Sequence, residues 1–153
     1  MQIALGSDHA GFQLKESLKR YLDSKNLKYT DFGVFSMDPA DYPEYAYKVS
    51  MAIIQDNYDR GILICGTGVG MCMTANKFKG IRAGLASDIN TAQLSRLHND
   101  ANILCLGGGE LKESKAMDIV DVWLNTSFEG GRHQRRVDLL TKFSDAINSS
   151  LYS

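Results

Sequence analysis

Short apolar or β-branched runs alternate with longer stretches in which apolar residues recur every three or four positions, and this alternation repeats from one end of the chain to the other. An uninterrupted apolar run suits a strand buried on both faces, and a three-to-four-residue period suits a helix with one buried stripe. The pattern predicts strands over 2–6, 28–32, 61–65, 81–86 and 102–106, and helices over 12–24, 42–56, 69–78, 90–98, 112–124 and 132–148. In the last helix Val137, Leu140, Phe143 and Ile147 fall on one stripe that requires burial. Strands alternating with helices imply βαβ units, so the expected fold is α/β: a single Rossmann-like, doubly wound αβα sandwich of three layers with a five-stranded parallel sheet. No repeat, low-complexity tract or proline-rich linker divides the 153 residues, and the only prolines, Pro39 and Pro43, share one loop. Residues 1–153 are therefore read as one domain.

Composition narrows the class. With 44% hydrophobic and 23% charged residues the chain can bury a core without disulfides or metals. The longest uncharged stretch, 61–76, contains four glycines and several polar residues, and falls short of the roughly 20 apolar residues that a membrane span requires. The first residues reach Asp8 without a basic segment and long apolar run, so no signal peptide is expected and the cytoplasm is the expected compartment. Three cysteines, an odd number in apolar surroundings, also suit a reducing compartment. A net charge of −1 disfavours nucleic acid as the main partner.

In a doubly wound sheet, ligands bind beyond the carboxyl ends of the strands. After the third strand, Cys65-Gly66-Thr67-Gly68-Val69-Gly70 passes through three glycines into a helix, so backbone N–H groups can converge on an anion; the alternative is a tight connection and nothing more. Met71 stands where a dinucleotide fingerprint needs its third glycine, and Phe12-Gln13 replaces the Lys-Ser/Thr of a Walker loop, so nucleotide binding loses ground. Cys65 ends its strand beside the helix N-terminus, where dipole and amides favour a thiolate able to act as a base. Cys72 and Cys105 are read as small buried hydrophobes. Asp8-His9 follows the first strand on the same rim; the carboxylate can orient the imidazole or handle a hydroxyl proton, or can cap the next helix. No paired Cys-x-x-Cys or His-x-x-x-His spacing is present, so no metal is expected.

Arginines 132, 135 and 136 open the last helix, although cations at a helix N-terminus are unfavourable by about 0.3–1 kcal/mol each. Arg132 and Arg136, four apart, share a face suited to gripping a phosphate; the alternative is a solvated basic turn paired with Glu129. His98-Asn99 closes a helix, where a histidine commonly only complements the dipole.

Taken together, Gly6-Ser7-Asp8-His9-Ala10-Gly11-Phe12, Asp41-Tyr42-Pro43, the run from Gly61 to Gly70, Ala75-Asn76-Lys77, the run from Ser95 to Asp100, and Glu129-Gly130-Gly131-Arg132-His133 resemble the ribose-5-phosphate isomerase B and galactose-6-phosphate isomerase family, specifically its ribose-5-phosphate branch, over nearly the whole chain. The resemblance implies an aldose–ketose isomerase of phosphosugars that needs no metal or other cofactor, with active sites shared between two subunits of a homodimer or dimer of dimers. It implies that Cys65 moves a proton between C1 and C2, and that Gly66, Thr67, Gly68, Val69 and Gly70 form the anion hole for an enediolate. It further implies that His98 with Asp8 opens the sugar ring, that Asn99 contacts the sugar, and that His9, Arg132 and Arg136 bind the phosphate. Another branch carries a glutamate base at the position of Met71, and many relatives carry an arginine at that of Gly109. Isomerases of allose 6-phosphate, galactose 6-phosphate or a tetrose phosphate are the neighbouring readings, and a non-catalytic, flavodoxin-like phosphate binder is the reading from another class.

Topology adds one expectation. Strand ends carry Asp8, His9 and Cys65 to one rim, whereas helices running back carry His98, Asn99 and Arg132 to the other, roughly 17 Å away for five residues of strand. A site uniting the two groups requires a second subunit, and the last helix, 132–148, is expected at that interface.

Overall fold

The computed structural model describes residues 1–150, with side chains through Ala146. Five strands, β1 (Gln2–Ser7), β2 (Lys28–Asp31), β3 (Arg60–Cys65), β4 (Ala83–Leu85) and β5 (Ile103–Gly107), form one parallel sheet in the order β2-β1-β3-β5-β4. Six helices accompany them: α1 (Phe12–Ser24), α2 (Tyr42–Gln55), α3 (Val69–Ala75), α4 (Ile89–Leu97), α5 (Glu113–Leu124) and α6 (Arg132–Ser150). This is the expected α/β architecture, and its strand order reverses between β1 and β3, where such sheets bind ligands.

Alternate residues of each strand enter opposite cores. Ile3, Leu5, Ile62, Ile64, Leu104 and Leu106 pack against Leu14, Leu18 and Leu22 of α1 and Ile119, Val120 and Trp123 of α5. Ala4, Leu63, Cys65, Ile103 and Cys105 pack against Ala46, Val49 and Ala52 of α2 and Met71 and Ala75 of α3. Between their end residues the central strands are apolar because both of their faces are covered.

Two elements are shorter than the pattern predicts, and side chains explain both. Helix α3 stops at Ala75 instead of 78 because Asn76 turns onto the edge strand, accepting from Ala83 N–H (2.8 Å) and donating to Ala83 C=O (2.9 Å). Strand β4 covers Ala83–Leu85 instead of 81–86 because Asn102 Oδ1 takes the N–H of Arg82 (2.8 Å), and Ile81 N–H turns back to Phe78 C=O (3.1 Å). Other boundaries agree within two residues.

Helix α6 is set apart. His133 and Val137 are buried, but Leu140 and Phe143 of the expected stripe are 54% and 61% exposed. Ile147 lies outside the residues whose side chains are described. Among the described residues no helix is long and apolar enough to cross a membrane.

Candidate active site

The parallel register separates two rims. Gly61 pairs with Ile103 at one end of the β3–β5 ladder and Cys65 with Gly107 at the other, four steps or about 13 Å of strand. Cys65, Asp8 and His9 lie at the carboxyl end, here called the near rim, whereas His98 and Asn99 precede β5 at the far rim.

At the near rim, the chain leaves β3 through Gly66-Thr67-Gly68 into α3. Gly68 adopts φ +80°, and a Cβ there would stand 2.6 Å from the Leu85 side chain and 2.9 Å from the Leu106 backbone, so only glycine fits. Cys65 is 5% exposed, and the Gly68 N–H donates to its Sγ at 3.2 Å. Val69 N–H donates to Thr67 Oγ1 at 3.2 Å, while Thr67 and Val69 themselves face solvent. The next two N–H groups of α3, those of Gly70 and Met71, have no partner within the helix, and the ladder begins with Cys72 N–H donating to Gly68 C=O (3.0 Å). Gly70 lies under the Tyr42 ring, which a Cβ would approach to 2.7 Å. Tyr42 thus walls the loop, although sequence reasoning gave it no site role.

The β1 loop closes the same rim. Gly11 N–H donates to the buried carboxylate of Asp8 (3.0 Å), the capping contact that sequence left as an alternative to a chemical role; the second carboxylate oxygen remains available. Ala40 N–H donates to His9 Nδ1 at 3.1 Å. The Ala40 C=O lies 3.3 Å from the same nitrogen, so the Ala40 peptide holds this edge of the ring in either tautomer. Gly109, whose N–H donates to Gly66 C=O (3.0 Å), offers this rim no side chain where the resemblance implies an arginine.

Beneath the loop lie two further thiols. Cys72 is not the buried hydrophobe expected: it is half-buried, and its Sγ lies 3.4 Å from Ala83 C=O. A hydrogen bond from the Cys105 thiol, outweighing burial, draws Cys72 down to about 7. Its partner Cys105, fully buried, is pushed well above the ordinary thiol range by that same bond and by burial.

At the far rim, Arg96 is buried within the turn that carries His98 and Asn99. Its guanidinium donates to Asp100 Oδ1 (2.8 Å), Ala101 C=O (2.6 Å) and Thr126 C=O (3.1 Å), and Arg82 holds the second Asp100 oxygen (3.0 Å). Much of the Ser95-to-Asp100 motif is thus scaffolding. The His98 ring stacks on His133, with centroids 4.2 Å apart and planes inclined by 15°. Burial, and next the charge of His98, hold the His133 imidazole below its ordinary range. His98, Asn99, His133, Arg136, Val137 and Leu140 line a cavity of about 310 Å³. Arg132 and Arg136 are exposed and make no ion pair among the described residues; Glu129 instead faces His133 Nε2 at 3.8 Å. Sequence reasoning assigned His133 no role, because its stacking partner lies 35 residues away and only its own helix was legible.

A family profile described as Ribose/Galactose Isomerase matches residues 3–140. The chain is 46% identical over 147 residues to ribose-5-phosphate isomerase B of Escherichia coli, covering 96% of this chain and 99% of that one. Among solved structures, ribose-5-phosphate isomerase B of Clostridium thermocellum is similar with a TM-score of 0.94 and 42% identity, over 96% of this chain and 99% of that one. Ribose-5-phosphate isomerase B of Mycoplasma genitalium, solved with bound ribulose-5-phosphate, is similar with a TM-score of 0.90 and 42% identity, over 94% and 96% of the two chains.

Proposed function

Because the chain belongs to the Ribose/Galactose Isomerase family, we propose that it interconverts ribose 5-phosphate and ribulose 5-phosphate through an enediolate, with a cysteine base and without metal or other cofactor. The observation that carries this reading is the Cys65 sulfur, held 3.2 Å from the Gly68 N–H in a glycine loop that runs into the N-terminus of α3. A base and an anion hole stand side by side, as proton abstraction next to a carbonyl requires.

Ring opening comes first: His98 gives a proton to the ring oxygen while Asp8 takes the proton of the C1 hydroxyl, freeing the aldehyde. The Cys65 thiolate then removes the C2 proton, and the electrons of that bond pass through C1–C2 onto O1. Amides of Gly66 to Gly70 hold the oxyanion without reorganising. Thr67 passes a proton from O2 to O1, Cys65 returns its proton to C1, and the ketose results with no atom gained or lost. Asn99 binds a sugar hydroxyl, and His9, Arg132 and Arg136 clasp the phosphate through charge-assisted bonds.

One subunit holds Cys65 and His98 a strand length apart, so each working site combines the near rim of one subunit with the far rim of another in a homodimer or dimer of dimers. The exposed Leu140 and Phe143 of α6, and the exposed Val69 and Met73 beside the near-rim loop, are apolar surface of the kind that an interface covers. The proposed setting is cytoplasmic and the proposed partner a small phosphorylated sugar, with no role for nucleic acid or membrane.

The test is an NMR assay of ribose 5-phosphate beside tetrose and hexose phosphates, run with the wild type and Cys65→Ala. Ribose 5-phosphate should give the highest kcat/KM, and Cys65→Ala should lower kcat by roughly 10²–10⁴-fold while substrate still binds. Near-native kcat in the variant would exclude the thiolate base, and a higher kcat/KM on another phosphosugar would reassign the substrate.

A further inference from the structure

The far rim contains a set of donors that the proposed reaction does not use in full. Ligating atoms of His98, Glu129 and His133 all lie within 4.8 Å of one another. Two imidazole nitrogens and a carboxylate suit zinc and neighbouring first-row divalent ions, and leave a fourth position open. Two features distinguish this set from a chance surface cluster. His133 is only 3% exposed, yet its Nε2 has no hydrogen-bond partner, whereas buried side-chain nitrogens are in large majority paired. The His98 ring stacks on His133 and makes no hydrogen bond to the described residues, so no hydrogen bond restrains its nitrogens from turning to a shared ion.

We propose that His98, Glu129 and His133 form a binding site for a divalent transition ion of the Zn²⁺ class, and that an ion there withdraws His98 from ring opening. The second half rests on the role proposed for His98; the first half does not. Zinc bonds of about 2.0–2.1 Å in a tetrahedron bring ligand atoms to roughly 3.4 Å apart, so atoms within 4.8 Å of one another must draw in by up to about 1.4 Å. Glu129 can supply much of that shift: its side chain is 55% exposed and it adjoins Gly130 and Gly131, at φ +70° and +54°. The rings must also swing out of their parallel stack so that their lone pairs converge. Arg132 and Arg136, whose charges act on His133, oppose a cation, so the ion is exchangeable and its removal leaves the fold intact.

The test titrates the chelator-treated full chain with Zn²⁺ in competition with a chromogenic chelator, and with Co²⁺ followed by its visible and near-ultraviolet spectrum. The expected result is one ion per chain and a Co²⁺ spectrum without thiolate charge transfer. Affinity should fall by more than roughly 100-fold in His133→Ala and Glu129→Ala, beyond the ~10–100-fold that outer-shell changes cost. It should persist in Cys65→Ala and Cys72→Ala. Undiminished affinity in Glu129→Ala, whose exposed side chain makes misfolding no explanation, or loss of binding in a cysteine variant, would overturn the site. Full isomerase activity at saturating Zn²⁺, with binding as expected, would overturn the withdrawal of His98 and leave the site standing; absence of binding would remove the site and leave the isomerase reading untouched.

Discussion

The candidate chemical groups of the near rim are already held by the chain's own backbone, whereas Arg132, Arg136 and His133 Nε2 at the far rim are not. Gly68 N–H reaches Cys65 Sγ, Gly11 N–H reaches Asp8, and Ala40 N–H reaches His9. At the far rim Arg132 and Arg136 are exposed without an ion pair among the described residues, and His133 Nε2 is buried without a hydrogen-bond partner. Fixed donors suit the stabilisation of charge that develops during reaction, since they need not reorganise when it appears. Unpaired cations suit the capture of a charged group arriving from outside. The near rim therefore resembles finished chemical machinery, and the far rim a gripping surface completed when something docks on it.

The strongest attempt to break this division is subunit complementation. Cys65→Ala and His98→Asn homodimers should each be inactive. After exchange at equal concentrations, activity should return to about a quarter of the wild type, because random mixing makes half the dimers mixed and each mixed dimer has one intact site of two. No recovery after verified exchange would put both residues to work in one subunit and would dissolve the contrast between rims.

A smaller effect tests what the far rim grips. Arg132→Ala and Arg136→Ala should each weaken substrate binding by roughly 1.5–3 kcal/mol, the worth of a hydrogen bond to a charged group. The loss should appear in KM and in inhibition by inorganic phosphate, with kcat much less affected, because the reacting carbons lie at the near rim. A loss confined to kcat would show that the arginines act on the chemistry itself.

The same contrast explains what the sequence made legible. The near rim could be read because its parts are local: a strand end, three glycines and a helix start are consecutive from Cys65 to Gly70, and the alternation of apolar runs fixes which rim they occupy. The buried residues that hold the far rim follow no local pattern. Arg96 occupies an apolar face of α4 because Asp100 and the carbonyls of Ala101 and Thr126 receive it, partners that no hydrophobic period records. Lys15 is fully buried in α1 for the same kind of reason, its ammonium meeting Asp31 at 2.6 Å and Val34 C=O at 2.8 Å. Likewise Glu129 and His133 sit in a run that reads as a basic phosphate clamp, and only the approach of α4 shows that the imidazole stacks on His98. The ends of α3 and β4 depart from the hydrophobic pattern because the amides of Asn76 and Asn102 replace backbone partners across the chain.

The smallest expected effect concerns Cys65 and Cys72, two thiols that a labelling experiment could confuse. Cys72 is half-buried and drawn down to about 7, so an alkylating reagent should modify it in a process that is half-maximal near pH 7 and slows about tenfold for each further unit of acidity, as the thiolate is lost. The Cys105 thiol is the donor that favours this thiolate, so Cys105→Ala should move the midpoint upward, toward the ordinary thiol range. Cys72 takes no part in the proposed chemistry, and Cys72→Ala should leave kcat within roughly threefold of the wild type, as for most changes outside a site. Substrate should protect Cys65 but not Cys72 from the reagent, because Cys65 lies at the mouth of the loop and Cys72 behind it on α3. If Cys72→Ala abolished turnover while the folded chain persisted by circular dichroism, the near-rim base would have to be sought one helical turn further from the strand end. An unchanged alkylation midpoint in Cys105→Ala would instead remove the thiol pair as the cause of the lowered value, and leave Asn76 Nδ2, 3.6 Å from the Cys72 sulfur, as the side-chain donor to test next.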